Sequence, residues 1–354
     1  MRNEKFLCLA LAILAITAAM AGCLQASPAT PGPSAAPGAG ITFADGNSNV
    51  ITIPKTADRI ISTNSDCTEM LIAIGAADKI VGVSETVMDT PALMALLPPD
   101  VKSIGSWSSP SLETILSLRP DVVICYTYST FPSNLDMLVA YNITIVALDC
   151  YKLGALESDA RTLGVITGNK QQADEYASFF DRYLKLVQGR TRDLDLAKMP
   201  TVYWEGYSDY STVSGTSGGN IMIGTAGGNN VAGNYSTSYP QVSAEWVVYQ
   251  DPAYIFKSIA AANVTSIDDF RRLQADVAGR PGFRLVEAVK SDNVYVMSGA
   301  FASGARSMIG LLYVAKILHP DLFADVDPQQ VLAEYAQKFL PGADRVLYIY
   351  PDIG

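Results

Sequence analysis

Glu113 and Glu245 occupy matching settings in the two halves of the chain. The stretch Ser111-Leu-Glu113-Thr-Ile-Leu-Ser-Leu-Arg-Pro120 is followed by the apolar run Asp-Val-Val-Ile124, and Ser243-Ala-Glu245-Trp-Val-Val-Tyr-Gln-Asp-Pro252 by Ala-Tyr-Ile-Phe256. In both, a glutamate opens a short amphipathic helix, a proline ends it, and a buried strand follows, which is the αβ step of a parallel sheet. A surface carboxylate repeated on two such lobes suits a partner carrying two cationic groups at a fixed spacing. The other chemistry-bearing residues suit binding. Trp107, Tyr126, Tyr128, Trp204, Tyr207 and Tyr210 follow or end predicted strands, where rings either line a cleft for a large flat ligand or pack in a core. Arg306, after Ser303-Gly304, offers a guanidinium either to an anionic ligand or to a carboxylate of the protein.

Two further chemistries are weighed on their residues. Gly215-Thr-Ser217-Gly-Gly219 fits the turn pattern of a serine hydrolase nucleophile and precedes His319, so a secreted esterase using Ser217 is a distant alternative. A Gly- and Ser-rich segment matches that pattern easily, and His319 lies at a predicted helix end before Pro320. One histidine cannot build the several-imidazole site that a bare zinc or manganese ion requires. Cys67, Cys125 and Cys150 fall near predicted strand ends; buried free thiols, with or without a Cys125–Cys150 bridge, are expected over a soft-metal site. The sequons at Asn142, Asn234 and Asn263 are open to glycosylation, and triplets of this kind also arise by chance.

The positioning elements begin with an N-terminal leader. Arg2 and Lys5 precede an apolar run from Phe6 to Ala21 and then Met20-Ala-Gly-Cys23. This pattern predicts a lipoprotein signal over 1–22 with Cys23 as the acylated residue. Residues 23–40 form a tether of Pro, Ser, Gly and Ala, able to span roughly 50 Å in an extended form. Without the leader the chain carries a net charge of about −11, which argues against nucleic acid and anionic lipid as partners. With 49% of its residues apolar, the rest of the chain is globular.

Strand and helix patterns alternate over 41–153, after an opening hairpin at Ile41–Ile53. Residues 156–194 read as helical with one break at Gly168-Asn169, within an interdomain span of 154–198, and a second α/β unit covers 199–354. The fold class is therefore α/β: two Rossmann-like lobes with mostly parallel sheets, joined by a long rigid helix, with a ligand cleft between them.

Arg59-Ile-Ile-Ser62, Thr68-Glu69 through Gly75, Ile80-Val-Gly-Val83 and Leu112-Glu113 through Ile124 resemble the first lobe of substrate-binding proteins of ABC importers for iron–siderophore complexes and cobalamin. Gly227-Gly-Asn229, Val242 through Glu245 with Pro252, Glu287 through Val296 and Ala315 through Phe323 resemble the second lobe, so that the likeness spans about residues 42–340. The resemblance implies a non-enzymatic binding protein that closes little on its ligand and passes it to a permease driven by an ATPase subunit. It implies that Glu113 and Glu245 pair with permease arginines, and that Trp107 and Tyr126 match positions where cobalamin-binding relatives place rings. The polar residues those relatives carry near Ala302 and Ser303 have no clear counterpart here. The expected ligand is accordingly a ferric siderophore-type chelate, with a corrinoid second and haem third, and no permanent cofactor. The protein is expected to be a monomer outside the cytoplasmic membrane, anchored by lipid through Cys23.

Overall fold

The computed structural model describes residues 40–127, 135–215, 217–260, 263–264 and 266–353. Cys23, the leader and nearly all of the tether lie outside the described residues. The first sheet has the order Lys102–Ser103, Ile80–Val83, Ile60–Ser62, Val122–Cys125, Thr144–Ala147, all parallel. Its central strands are Val- and Ile-rich and almost wholly buried, as both faces are covered by helices, while the edge strand Lys102–Ser103 is exposed. The second sheet runs Asn229–Asn230, Thr201–Glu205, Tyr254–Ile259, Val294–Ser298, closed by the antiparallel pair Ile349–Tyr350. The first strand lies between the second and fourth in the first sheet and between the second and third in the second, so the connections change direction beside it. Open α/β sheets bind ligands at that switch point, outside the carboxyl ends of the strands.

The Gly168 break is real. One helix covers Leu156–Thr167, Gly168 adopts φ +83°, and a second helix runs Lys170–Thr191. The longer helix ties the lobes together along its length. At its start, Asn169 Nδ2 donates to the carbonyls of Ile74 and Gly75 at 3.0 and 2.7 Å. In its middle, the buried Tyr176 hydroxyl donates to the Ala305 carbonyl at 2.7 Å. Near its end, Arg190 pairs with Asp325 at 2.6 Å. One apolar core continues from Ile60 and Met70 through Tyr176 to Met308 and Tyr335, so the lobes share packing across their join.

The repeated step folds as two copies of one motif. The helices Leu112–Leu118 and Ala244–Gln250 are capped by Ser111 and Ser243, whose hydroxyls accept from the backbone N–H of Thr114 and Trp246. Each ends on a left-handed residue, Arg119 at φ 48° and Asp251 at φ 45°. Glu113 and Glu245 both lie on the exposed side.

Candidate ligand-binding cleft

Three segments of the first lobe converge at its switch point. The strand Ile60–Ser62 leads into the helix Ser65–Ala73, capped by Asn64, and this places Asp66 in the first turn. The neighbouring strand Val122–Cys125 ends immediately before Tyr126. The Tyr126 hydroxyl donates to Asp66 Oδ2 at 2.7 Å, and this bond spans the switch point. Trp107 sits on the turn of a small hairpin, Gly105–Ser106 against Ser109–Pro110, and leaves 40% of its surface open. Its ring meets Tyr126 edge-on at 5.8 Å, and Tyr126 meets Tyr151 edge-on at 5.6 Å. Edge-to-face contact favours such a row of rings and leaves ring faces available for a flat ligand.

The second lobe comes close to this cluster. Gly304 has φ +92°, and a Cβ there would lie 2.8 Å from Asp66 Oδ1. The Gly304 N–H donates to the Tyr151 carbonyl at 3.4 Å. Glycine is required by both the backbone angle and the closeness of Asp66. Tyr207 follows the strand Thr201–Glu205, and its hydroxyl lies against Gly299, where a Cβ would collide with it. Burial raises the Tyr207 phenol, and the charges of Asp66 and Tyr239 add to the rise. The three groups thus share one electrostatic neighbourhood. Burial pushes the Asp66 carboxyl up to about 7, against the Tyr126 hydrogen bond, with Glu69 and Asp149 adding to the rise and Arg306 opposing it.

The backbone carrying Tyr207 is held from beneath by buried charge. Lys257, on the adjacent strand, is 1% exposed and pairs with Glu205 at 2.8 Å while donating to the Tyr207 carbonyl at 3.2 Å. Arg280 forks onto both Glu205 oxygens at 2.7 and 2.9 Å and reaches Asp209 at 2.8 Å. Tyr203 donates to Glu205 as well, at 2.8 Å. Burial works to raise the Glu205 carboxyl, but Arg280 and Lys257 hold it below its ordinary value.

The arrangement is an aromatic cluster beside Asp66. The profile of the family described as periplasmic binding protein matches residues 60–300. The chain belongs to that family. A vitamin B12-binding protein of Yersinia pestis (strain Pestoides F) is 28% identical over 231 residues, which cover 63% of this chain and 77% of the relative. Among solved structures, the TroA-like protein FepB of Veillonella parvula superposes with a TM-score of 0.74 at 20% identity, over 85% of this chain and 96% of that one. The molybdate-bound MolA of Haemophilus influenzae gives 0.69 at 24% identity, over 87% and 98%. The two-lobed fold is therefore that of these binding proteins. As a member of the family, the chain is a solute-binding component of an ABC importer, acts outside the cytoplasm and is not an enzyme.

Within this binding protein the expected site residues separate. Trp107 and Tyr126 are in edge contact and Tyr207 lies within electrostatic reach of Asp66, while Tyr128 lies outside the described residues. Trp204 does not line it. Only 1% exposed, it stacks on Phe256 at 5.1 Å and donates through Nε1 to Ser258 at 2.9 Å. Its position within a central strand puts it in the core of the second lobe. Tyr210 packs elsewhere, under Arg280 at 4.5 Å and edge-on to Phe283 at 6.4 Å, on the opposite apolar cluster of that sheet.

Arg306 is engaged in a buried pair rather than an ordinary surface one. Its Nε and Nη2 hold the two Glu69 oxygens, both at 2.6 Å, and Nη1 donates to Tyr348 at 2.5 Å. Glu69 belongs to the first lobe, so this pair crosses between the lobes with both side chains largely buried. Ser217 caps the helix Gly218–Thr225, accepting from Asn220 N–H at 3.3 Å, and His319 bonds the Gly227 carbonyl at 2.9 Å. The esterase alternative falls, since each group is spent on local backbone. Cys67, Cys125 and Cys150 are all buried and none is in a disulfide, so no Cys125–Cys150 bridge forms. Among the described residues no cluster of three or more His, Cys, Asp or Glu is placed to hold a metal ion.

Asp66, Tyr151 and Tyr239 were not among the expected site residues. For Asp66 and Tyr151 a signal existed, since both closely follow the carboxyl end of a parallel strand. A separate groove of about 890 Å³ runs along the linker helix past Phe179, Arg182 and Phe339. It shares no residue with the aromatic cluster.

Proposed function

We propose that this binding protein captures a metal chelate, either a ferric siderophore-type complex or a corrinoid, between Trp107, Tyr126 and Tyr151 of one lobe and Tyr207 and Tyr239 of the other. The observation that carries this reading is the edge-on row of rings at the first switch point, facing Tyr207 across the lobe boundary. Large chelates bind chiefly by apolar and aromatic contact with few polar anchors. The name of the Yersinia relative favours a corrinoid. We further propose that Glu113 and Glu245 dock the permease, supported by their exposure and identical local geometry. Lipid attachment at Cys23 would keep the protein beside that permease, in the lobe-and-tether division 23–40, 41–153, 154–198 and 199–354.

The test is fluorescence titration of the purified protein, which has a half-exposed Trp107 as reporter, with ferric trihydroxamates, ferric tricatecholates, cobalamins and haemin. Saturable quenching by at least one chelate is expected, and its loss in a Trp107→Ala, Tyr126→Ala double variant that keeps its fold. Binding that survives in the double variant would move the site elsewhere. Release of a Cys23→Ser variant from washed membranes checks the anchor.

A further inference from the structure

The charge around the cleft restricts the ligand beyond its being a chelate. The described segments that follow the parallel strands are 63–66, 84–90, 104–111, 126–127 and 148–155 in the first lobe, and 206–215, 231–243, 260 and 299–306 in the second. In sequence, Lys152 and Arg306 are the sole cations among them, against Asp66, Glu85, Asp89, Asp149 and Asp209. Both cations are engaged. Lys152 Nζ pairs with Asp149 at 2.6 Å, where Asp149 is 5% exposed at its side chain and also accepts from Thr127. Arg306 is forked onto Glu69. Arg306 could meet an anionic ligand only by leaving the buried Glu69 unpaired, which is costly, and Lys152, although 43% exposed at its side chain, has its charge offset by Asp149. Asp66 is differently placed. It is partly exposed, and its Oδ2 takes the Tyr126 hydroxyl at 2.7 Å, at the base of the rings and opposite Gly304.

Resting on the chelate reading above, we infer that the cleft selects uncharged or cationic metal chelates and turns away anionic ones, with Asp66 as the residue that reads ligand charge. Amide or ammonium N–H groups of such a ligand find an acceptor in Asp66, and a positive ligand keeps that carboxylate ionised. Anionic tricatecholate complexes and oxyanions such as molybdate find no free cation in these segments. The groups facing Asp66 are Tyr126, Glu69 and Asp149 from the first lobe and Arg306 and Tyr207 from the second. Since burial holds the empty-site carboxyl near 7, a cationic ligand should bind with proton release and gain affinity as pH rises through that value.

The experiment is titration of the detergent-solubilised full chain with charge-matched probes. These are cationic and uncharged ferric trihydroxamates, a trianionic ferric tricatecholate, aquacobalamin, cyanocobalamin and molybdate. In whichever chelate pair binds, the cationic member should bind at least as tightly as the neutral one and weaken with added salt. The Asp66→Asn variant should lower cationic affinity about tenfold and neutral affinity by clearly less, because the asparagine oxygen still accepts an N–H but carries no charge. Tighter binding of the tricatecholate or molybdate than of every neutral and cationic probe would overturn the inference and leave an anionic-solute reading. An unchanged charge preference in a folded Asp66→Asn variant would remove Asp66 from the role. The salt dependence of the unmodified chain tests charge selection without any variant. Binding of no chelate at all would sink the proposed function itself, and the inference with it.

Discussion

The two switch points occupy the same topological place and hold carboxylates of opposite character. In the first lobe Asp66 keeps one tyrosine partner and an open side, and burial raises its carboxyl to about 7. In the second, Glu205 is fully buried and ringed by Lys257, Arg280 and Tyr203, which together hold it ionised. The contrast separates a carboxylate placed to meet a ligand from one that holds up a ligand-bearing loop. Through Lys257 and Asp209, the Glu205 network fixes the turn that carries Tyr207.

The sharpest way to break this comparison is to remove each acid in turn. Glu205→Leu leaves Lys257 and Arg280 with Asp209 alone, and unfolding stability should fall by about 3–5 kcal/mol in urea titrations. Asp66→Asn should instead leave stability nearly unchanged at low pH and raise it at pH 8. The sign follows from linkage: a carboxyl whose folded value is raised binds its proton in the native state over the window from the ordinary carboxyl range up to about 7, so stability falls as pH rises through that window. The variant has no such slope from this position. A larger loss of stability for Asp66→Asn than for Glu205→Leu would reverse the assignment of roles.

The bridge between the lobes comes next. Arg306→Ala should cost about 3 kcal/mol by leaving Glu69 buried and unpaired, whereas the double change Glu69→Met with Arg306→Met should recover most of it. Denaturant midpoints of the two variants check this, and equal losses in the single and double variants would show that the pair contributes more than compensation of buried charge.

Smaller effects are expected at the rings. Trp107→Ala and Tyr126→Ala should each lower ligand affinity by about 1–3 kcal/mol with the fold intact, read by titration calorimetry. The smallest effect on the isolated protein belongs to the corners where the lobes agree. Glu113→Arg and Glu245→Arg should change stability by no more than about 0.5 kcal/mol and leave ligand affinity alone. Uptake in cells should fail most fully in the double variant, and pull-down of the permease by the unmodified protein should weaken with salt. Normal uptake by the double variant would leave the two corners as a structural repeat only.

Much of this architecture was legible because local signals agreed. The helices at 112–118 and 244–250 carry a serine cap, a turn-opening acid and a proline stop, and these sites leave little choice of boundary. The linker helix was visible through its apolar stripe and the Gly168 break. The helix Gly218–Thr225 was not, since two glycines and an asparagine in its first turn look like loop, and its cap Ser217 stands in a pattern that a serine nucleophile also fits. The edge strand Ile349–Tyr350 is too short to carry a period. Among the aromatics, Trp107 and Trp204 had equal claims in sequence. A hairpin turn holds one at the surface, and a central strand buries the other.

Composition, order and spacing determined by themselves an α/β protein of two lobes, because hydrophobic periodicity, caps and proline stops act over a few residues and need no distant partner. Which charges meet was decided by the tertiary structure alone. Arg306 lies far along the chain from Glu69, and Lys257 is separated from Glu205 by a whole αβ unit. Burial makes such pairings compulsory, since an ion leaves water only with a partner. Only the folded arrangement shows which acid was left to face the cleft.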